Sequence, residues 1–266
     1  MKEKRVVLIT GDTSGFGREM VKYFINNGDI VCGMSRHDYS LDNLSHFKGD
    51  ITSEDDALRI VKEVINKYKR IDILVNNAGS GIYGPIEETK MSDAEKQINV
   101  SFYGAYNMAK CVIPYMRENG GGRIINISSI ASIIPLPFQG FYSSAKAGMD
   151  TLFNALRAET YPFNIQICSI KPGDAQTSFT SNREKQINTS SPYFEALNKS
   201  IKGVEKDENS GFKPDKLAKI VLRISKRKRM PYSRKVGFKD SLLSIIYKIL
   251  PNRIKNWALY KIYASK

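Results

Sequence analysis

Apolar positions along this chain come in two rhythms. Arg5-Val-Val-Leu-Ile-Thr10 is a short, β-branched run without alternation, as expected of a strand buried on both faces. After a glycine-rich turn, Arg18 to Asn27 carries Met20, Val21, Phe24 and Ile25 at helical spacing. Asp29 to Ser35 reads as the next strand, and Ile71 to Val75 as a later one. Strand and helix patterns alternate to about residue 172, which predicts an α/β fold with a parallel sheet covered on both faces. From Thr177 to Lys213 the chain is rich in Ser, Asn and charge, has few strong helical signals, and reads as a mobile lid. The predicted organisation is a catalytic-size domain over 1–225, including that lid at 177–213. A basic amphipathic helical extension over 226–266 packs on it.

The turn after the first strand carries the first chemistry. Gly11-Asp-Thr-Ser-Gly15-Phe-Gly17 lies between strand and helix, where backbone N–H groups approach a pyrophosphate and the helix N-terminus favours its charge. The fold expectation sharpens to a doubly wound, Rossmann-type parallel sheet with helices on both faces in a single domain. The end of the second strand should lie near the adenosine ribose, where an acid suits NAD and a base suits the 2′-phosphate of NADP. Here stand Ser35 and Arg36, and a guanidinium offers phosphate a bidentate fork. NADP is favoured over NAD. The competing reading is a solvated Arg36, with Asp38 serving the ribose.

Tyr142 and Lys146 stand four apart, on one face of a helix, with Ser129 upstream. A neighbouring ammonium is expected to bring a phenol below its usual value near 10. The pair then suits proton transfer to or from a carbonyl or alcohol oxygen, with a serine hydroxyl holding that oxygen. The bland alternative is an exposed helix face.

Taken together, these motifs resemble the short-chain dehydrogenase/reductase family. Thr10 to Gly17 is similar to its cofactor motif, which implies cofactor contacts at Gly11, Thr13, Ser14, Gly15, Phe16 and Gly17. Asp50-Ile51 resembles its adenine-contacting pair, and Asn76-Asn77-Ala78-Gly79 its turn after the fourth strand. Asn99 matches the family's helix asparagine, and Ser129 precedes Tyr142 by the family's 13 positions. Lys171-Pro172-Gly173-Asp-Ala175-Gln-Thr177 resembles the segment beside the nicotinamide. More loosely, Pro231 to Gly237 and Leu250 to Arg253 resemble the tails of retinol and 17β-hydroxysteroid dehydrogenases. Two positions depart from the family pattern. Asp12, beside the expected phosphates, would cap the turn or weaken a 2′-phosphate, and Lys171 precedes Pro172 where an apolar or small residue is usual.

The resemblance implies an NADP-dependent oxidoreductase that interconverts an alcohol and a ketone or aldehyde, on a lipophilic substrate. Tyr142 transfers the proton and Ser129 holds the oxygen. Lys146 lowers the phenol pKa and binds the nicotinamide ribose, and Asn99 holds a relay water. Ile134, Leu136, Phe138, Phe141, Phe179, Tyr193 and Phe194 either line a lipophilic pocket or are plain core. The alternative class is an NADP-binding sensor or scaffold without turnover, against which an intact Ser129, Tyr142 and Lys146 argue.

Composition adds three bounds. Cys32, Cys111 and Cys168 lie in apolar contexts and pair with neither histidine, so no disulfide framework or metal site is expected. Nothing near Met1 reads as a signal peptide, and a cytoplasmic protein is expected. Of the net charge of +14, residues 214–266 supply +13, from 15 Lys and Arg against 2 Asp and Glu. With the apolar runs Ser241–Leu250 and Trp257–Tyr263, that tail suits weak peripheral contact with an anionic membrane. The competing reading buries Leu242, Leu243, Ile246, Trp257 and Tyr260 against the domain or a second subunit. A small-molecule carbonyl or alcohol substrate and a homo-oligomer are expected, with no nucleic-acid partner.

Overall fold

A computed structural model describes residues 4–265. In chain order the elements are β1 (Val6–Thr10), α1 (Gly15–Asn26), β2 (Ile30–Ser35), β3 (Leu44–Lys48), α2 (Glu54–Tyr68) and β4 (Ile73–Asn76). Then follow β5 (Ile82–Tyr83), α3 (Met91–Ile98), α4 (Gly104–Glu118), β6 (Gly122–Ile127), α5 (Gly140–Glu159) and β7 (Ile165–Pro172). The last stretch holds α6 (Phe179–Asn182), β8 (Glu184–Lys185), α7 (Phe194–Asn209), α8 (Pro214–Ser225), β9 (Ser233–Val236), α9 (Phe238–Ile249) and α10 (Asn252–Leu259). Seven strands form one parallel sheet in the order β3-β2-β1-β4-β6-β7-β9. β5 and β8 pair separately.

Successive side chains of a strand point to opposite faces, and β1 feeds both cores that way. Val6 and Leu8 enter the core under α2, α4 and α5, with Ile60, Val64, Met108, Val112 and Phe153. Val7 and Ile9 enter the other, under α1 and α8, with Met20, Phe24, Leu217 and Val221. That is why the first strand reads as an unbroken apolar run. The three cysteines are buried and unbridged.

The segment expected to be a lid without strong helices contains α7, a helix of 16 residues. Its buried face is Ala196, Leu197, Ser200, Ile201 and Val204. Leu197, Ile201 and Val204 recur at helical spacing, but the Ser- and Asn-rich surroundings hide it. This face packs with Tyr83 and Phe138 in a third cluster, which Tyr193, Tyr263 and Ala264 flank. Phe138 and Tyr193 are therefore core beneath the lid, meeting edge to face at 6.3 Å.

The extension expected from residue 226 begins only after Val236, because β9 is the seventh strand of the main sheet. α9 and α10 follow, and they do not bury their apolar side chains. Phe238 is 87% exposed, Ile249 78% and Trp257 62%, with Leu242, Leu243, Ile246 and Tyr260 also exposed. Within the chain, then, these residues are not packed on the domain. Asp240 anchors the start of α9 against Gly173, where a methyl group would overlap its carboxylate.

Lys171, the departure before Pro172, is buried. Its Nζ pairs with Asp150 of α5 and donates to Ser132 Oγ at 2.8 Å. Burial first, then Lys248 and Lys235, bring its pKa down to about 8. It ties β7, α5 and the turn after β6 together.

Candidate active site

The strand order reverses between β1 and β4, so the loops at their carboxyl ends diverge and leave a crevice. The resulting cleft is about 590 Å³. Its floor is held by a short hydrogen-bonded knot. Thr10 Oγ1 accepts from the N–H groups of Asn77 and Ala78, both at 3.0 Å. Asn77 Nδ2 donates back to the carbonyls of Thr10 at 2.9 Å and Gly11 at 3.1 Å.

Thr13, Ser14, Gly15 and Phe16 line the cleft beside Gly11. Gly11 has φ +69°, a conformation that suits glycine. Gly17 does not line the cleft; it is buried under the Gly11 carbonyl, where a methyl group would overlap. This glycine cradle at the N-terminus of α1 fits a pyrophosphate.

At the adenosine end, Ser35, Arg36, Asp50 and Ile51 line the cleft. Arg36 is exposed and has no ion-pair partner among the described residues. Asp38 pairs instead with Lys48 at 2.7 Å and does not line the cleft. Asp12 does not line the cleft. It is buried, and its carboxylate meets His46 Nδ1 at 2.7 Å. His46 Nε2 in turn meets the His37 carbonyl at 2.9 Å. Burial raises the Asp12 pKa, and His46 offsets part of that rise.

Asn77, Ala78 and Gly79 also line the cleft, as do Pro172, Gly173, Ala175 and Thr177. Ser129, Tyr142 and Lys146 converge there. Ser129 caps a single 3-10 turn, Ile130–Ser132, with its Oγ accepting from the Ala131 N–H at 3.1 Å. Tyr142 and Lys146 are one turn apart on α5, and both are buried. Lys146 Nζ donates to the Ile127 carbonyl at 2.9 Å. The Tyr142 ring lies 5.7 Å from that of Phe179, which with Leu136 also lines the cleft.

Two expectations are corrected here. The phenol of Tyr142 is pushed up, not down. Burial dominates; a hydrogen bond with Ser129 and the charge of Arg183 work against it, and Lys146 is not among its perturbing groups. Burial brings Lys146 itself down to about 8. Both groups are driven toward their neutral forms, because desolvation penalises the charged one.

Asn99 is exposed and lines no part of the cleft. It opens a π-helical turn, Asn99–Tyr103, between α3 and α4. The inward positions are Ala94, Gln97, Ser101 and Ala105, and Asn99 falls on the other side of the helix. Gln97 Nε2 bonds Ser101 Oγ at 2.9 Å and the Ser80 carbonyl at 3.0 Å. Helical spacing of the small and apolar positions was the available signal for this.

Sequence reasoning missed Arg183, Glu208 and the role of Asp174 as cleft-lining residues. All three lie in or beside the polar stretch read as a lid, and nothing local marks them as enclosed.

The short-chain dehydrogenase family model matches residues 5–188. The chain belongs to the short-chain dehydrogenase/reductase family. It is 35% identical to a 3-ketodihydrosphingosine reductase of Bacteroides thetaiotaomicron over 271 residues, covering 99% of this chain and 100% of that protein. A short-chain dehydrogenase from Streptomyces avermitilis has the same fold, with a TM-score of 0.83 at 23% identity over 98% of this chain and 97% of its own. A 3-ketoacyl-(acyl-carrier-protein) reductase from Brucella melitensis, solved with NADH, has a TM-score of 0.77 at 25% identity, covering 91% of this chain and all 100% of that one. This family member is an NAD(P)-dependent oxidoreductase.

Asp174 makes stability depend on pH. Burial, then Asp240, Asp207 and Glu208, push its pKa from 3.8 up to about 7. A native pKa above the unfolded one contributes stability that is complete below about 4 and lost as pH rises through about 7. Asp174→Asn should therefore flatten the fall in melting temperature between those limits. At pH about 8 it should melt about 3 °C above the parent. Parallel melting curves for the two proteins across that window would refute the buried-acid account.

Proposed function

We propose that this enzyme is an NADP-dependent reductase of a long-chain ketone. The observation that carries the reading is a single cleft with Ser129, Tyr142 and Lys146 at one end and an unpartnered Arg36 at the other. The ketone class is supported by the relative named a 3-ketodihydrosphingosine reductase, a name that makes its substrate a 3-keto compound. Leu136, Phe179 and Val204, the apolar side chains that line this part of the cleft, suit such a chain.

When bound, the nicotinamide cofactor supplies the hydride for reduction or accepts it in the reverse direction. Ser129 Oγ donates to the carbonyl oxygen and fixes its position. Tyr142 gives its proton to the same oxygen as negative charge grows there. A buried phenol keeps its proton at neutral pH, which favours Tyr142 as the acid of a reduction. Lys146, rising from α5 to the floor of the cleft, holds the ribose hydroxyls. Arg36 receives the 2′-phosphate through its planar fork.

We further propose that α9 and α10 rest on an anionic bilayer. Their exposed Phe238, Ile249 and Trp257 are interleaved with Lys239, Lys248, Arg253, Lys255 and Lys261. Charge draws such a surface to anionic lipid and the apolar side chains insert shallowly. Among the described residues, no helix is long and apolar enough to cross a membrane.

Tyr142→Phe should lower kcat/KM by at least about a hundredfold in NADPH oxidation with long-chain ketones, and leave cofactor titration nearly unchanged. Retention of more than about a tenth of the parent value would remove Tyr142 from the acid role.

NADPH should bind more tightly than NADH, and Arg36→Asp should erode that preference by about tenfold to a hundredfold. Equal affinities for the two cofactors in the parent protein would end the NADP assignment.

The full chain should co-sediment with phosphatidylglycerol vesicles at low salt and not with phosphatidylcholine vesicles, and Ile249→Glu with Trp257→Glu should abolish this. If the double variant still sediments like the parent, α9 and α10 are not the contact. If it instead halves the mass seen by light scattering, the face joins two copies of the chain.

A further inference from the structure

Arg183 is a buried cation with most of its hydrogen-bonding capacity unused. Its side chain is 2% exposed. One nitrogen, Nη2, donates to Glu208 Oε1 at 2.5 Å. Among the described residues, Nε and Nη1 have no partner, and neither does Glu208 Oε2, although all three atoms are buried. The guanidinium is held between two rings, 4.7 Å from the centroid of Tyr83 and 4.9 Å from that of Phe179. Phe179 is the ring that also touches Tyr142. Arg183 and Glu208 both line the cleft, one aromatic ring from the reacting end.

A buried ion pair with three unsatisfied polar atoms is a poor structural brace. Each unpaired group forgoes its hydration and receives nothing in return. A bidentate contact between the same two side chains would satisfy more of these atoms, yet the pair meets through one bond only. The free atoms are of both kinds: N–H donors on Arg183 and an acceptor on Glu208. A simple ketone cannot satisfy them, since its one oxygen is engaged by Ser129 and Tyr142. The ligand must carry both an acceptor and a donor close to the carbonyl. The sign of the wall selects the donor further. Asp174 lines the cleft together with Glu208, and Asp240, Asp207 and Glu208 all lie within electrostatic reach of its carboxyl, with Lys239 against Asp207 at 3.6 Å. An ammonium is favoured there, and an anionic headgroup is disfavoured.

We infer that Arg183 and Glu208 form a headgroup subsite for an amino alcohol. Glu208 Oε2 accepts from a substrate ammonium on the carbon next to the carbonyl, and Arg183 Nε and Nη1 donate to the adjacent hydroxyl. The inference rests on the ketone-reductase reading above and narrows its substrate to a 2-amino-1-hydroxy-3-ketone. It also assigns the aromatic clamp a purpose: Tyr83 and Phe179 hold the guanidinium edge-on to the ligand while shielding its faces.

The test measures binding separately from turnover. The NADP-loaded enzyme is titrated by calorimetry with a soluble 2-amino-1,3-diol and with the matching 1,3-diol that lacks the amine. The amino diol should bind at least about tenfold more tightly. Glu208→Gln should bring the two affinities together, and Glu208→Asp should restore part of the difference. Arg183→Met should weaken both diols. Equal affinities in the parent protein overturn the inference whatever the variants do, as does an amine preference that survives in Glu208→Gln. Turnover with NADPH is then measured on the corresponding ketones. A protein that prefers the amino diol but reduces no ketone retains the subsite and loses the reductase reading. One that reduces amine-bearing and amine-free ketones alike, with equal diol affinities, retains the reading and loses the subsite.

Discussion

The cleft depends on the knot that joins the carboxyl ends of β1 and β4. Thr10 Oγ1 takes two N–H groups from the turn after β4, and Asn77 Nδ2 returns two hydrogen bonds to the turn after β1. These are the two neighbouring strands whose loops must part to make a crevice. Left alone, such loops would carry unpaired backbone groups at a partly buried site. The side chains of Thr10 and Asn77 satisfy those groups and fix the spacing between the turns. Gly17 fits beneath the Gly11 carbonyl only because it has no side chain. The position of Tyr142 and Lys146 over the floor follows, since α5 packs on the same sheet.

Burial, more than charge pairing, sets the character of the reacting groups. Tyr142 and Lys146 each lose hydration, and each is pulled toward its neutral form. For the phenol this means a retained proton. For the amine it means a charge held loosely, steadied by the Ile127 carbonyl. Lys171, buried nearby, shows the same downward pull despite its pairing with Asp150. Desolvation is the common cause, and it grows with the amount of protein packed around a group.

The substrate side of the cleft is assembled late in the chain. β7 ends at Pro172, and the chain then leaves the sheet to build α6, β8 and α7 before returning. That excursion places Phe179, Arg183 and Glu208 over Tyr142, while Tyr263 and Ala264 close the cluster beneath from the far end of the tail. The same tail exposes the apolar side chains of α9 and α10. Polar atoms of Arg183 and Glu208 left unpaired among the described residues thus lie inside, while α9 and α10 present an apolar, basic surface outside.

Much of this is legible in the amino-acid sequence. The unbroken apolar run of β1, the helical spacing in α1 and their repetition imply a parallel sheet, because burial on two faces and on one leave different periods. The glycine turn and the spacing of Ser129, Tyr142 and Lys146 mark the cleft, since these are local constraints of backbone and helix geometry. The concentration of positive charge after residue 214 is likewise a property of the sequence alone. Tertiary structure decided the rest. Asn99 faces outward because a π-helical turn and the packing of α3 choose which side is in. Asp12 turns to His46, 34 residues away. Arg183 meets Glu208 across 25 residues, and the Tyr142 phenol rises because Phe179 and the lid cover it. Solvent exclusion and ion pairing depend on which distant segments come together. Periodicity reports what each segment needs to bury, whereas the partners it is buried against emerge only when the chain has folded.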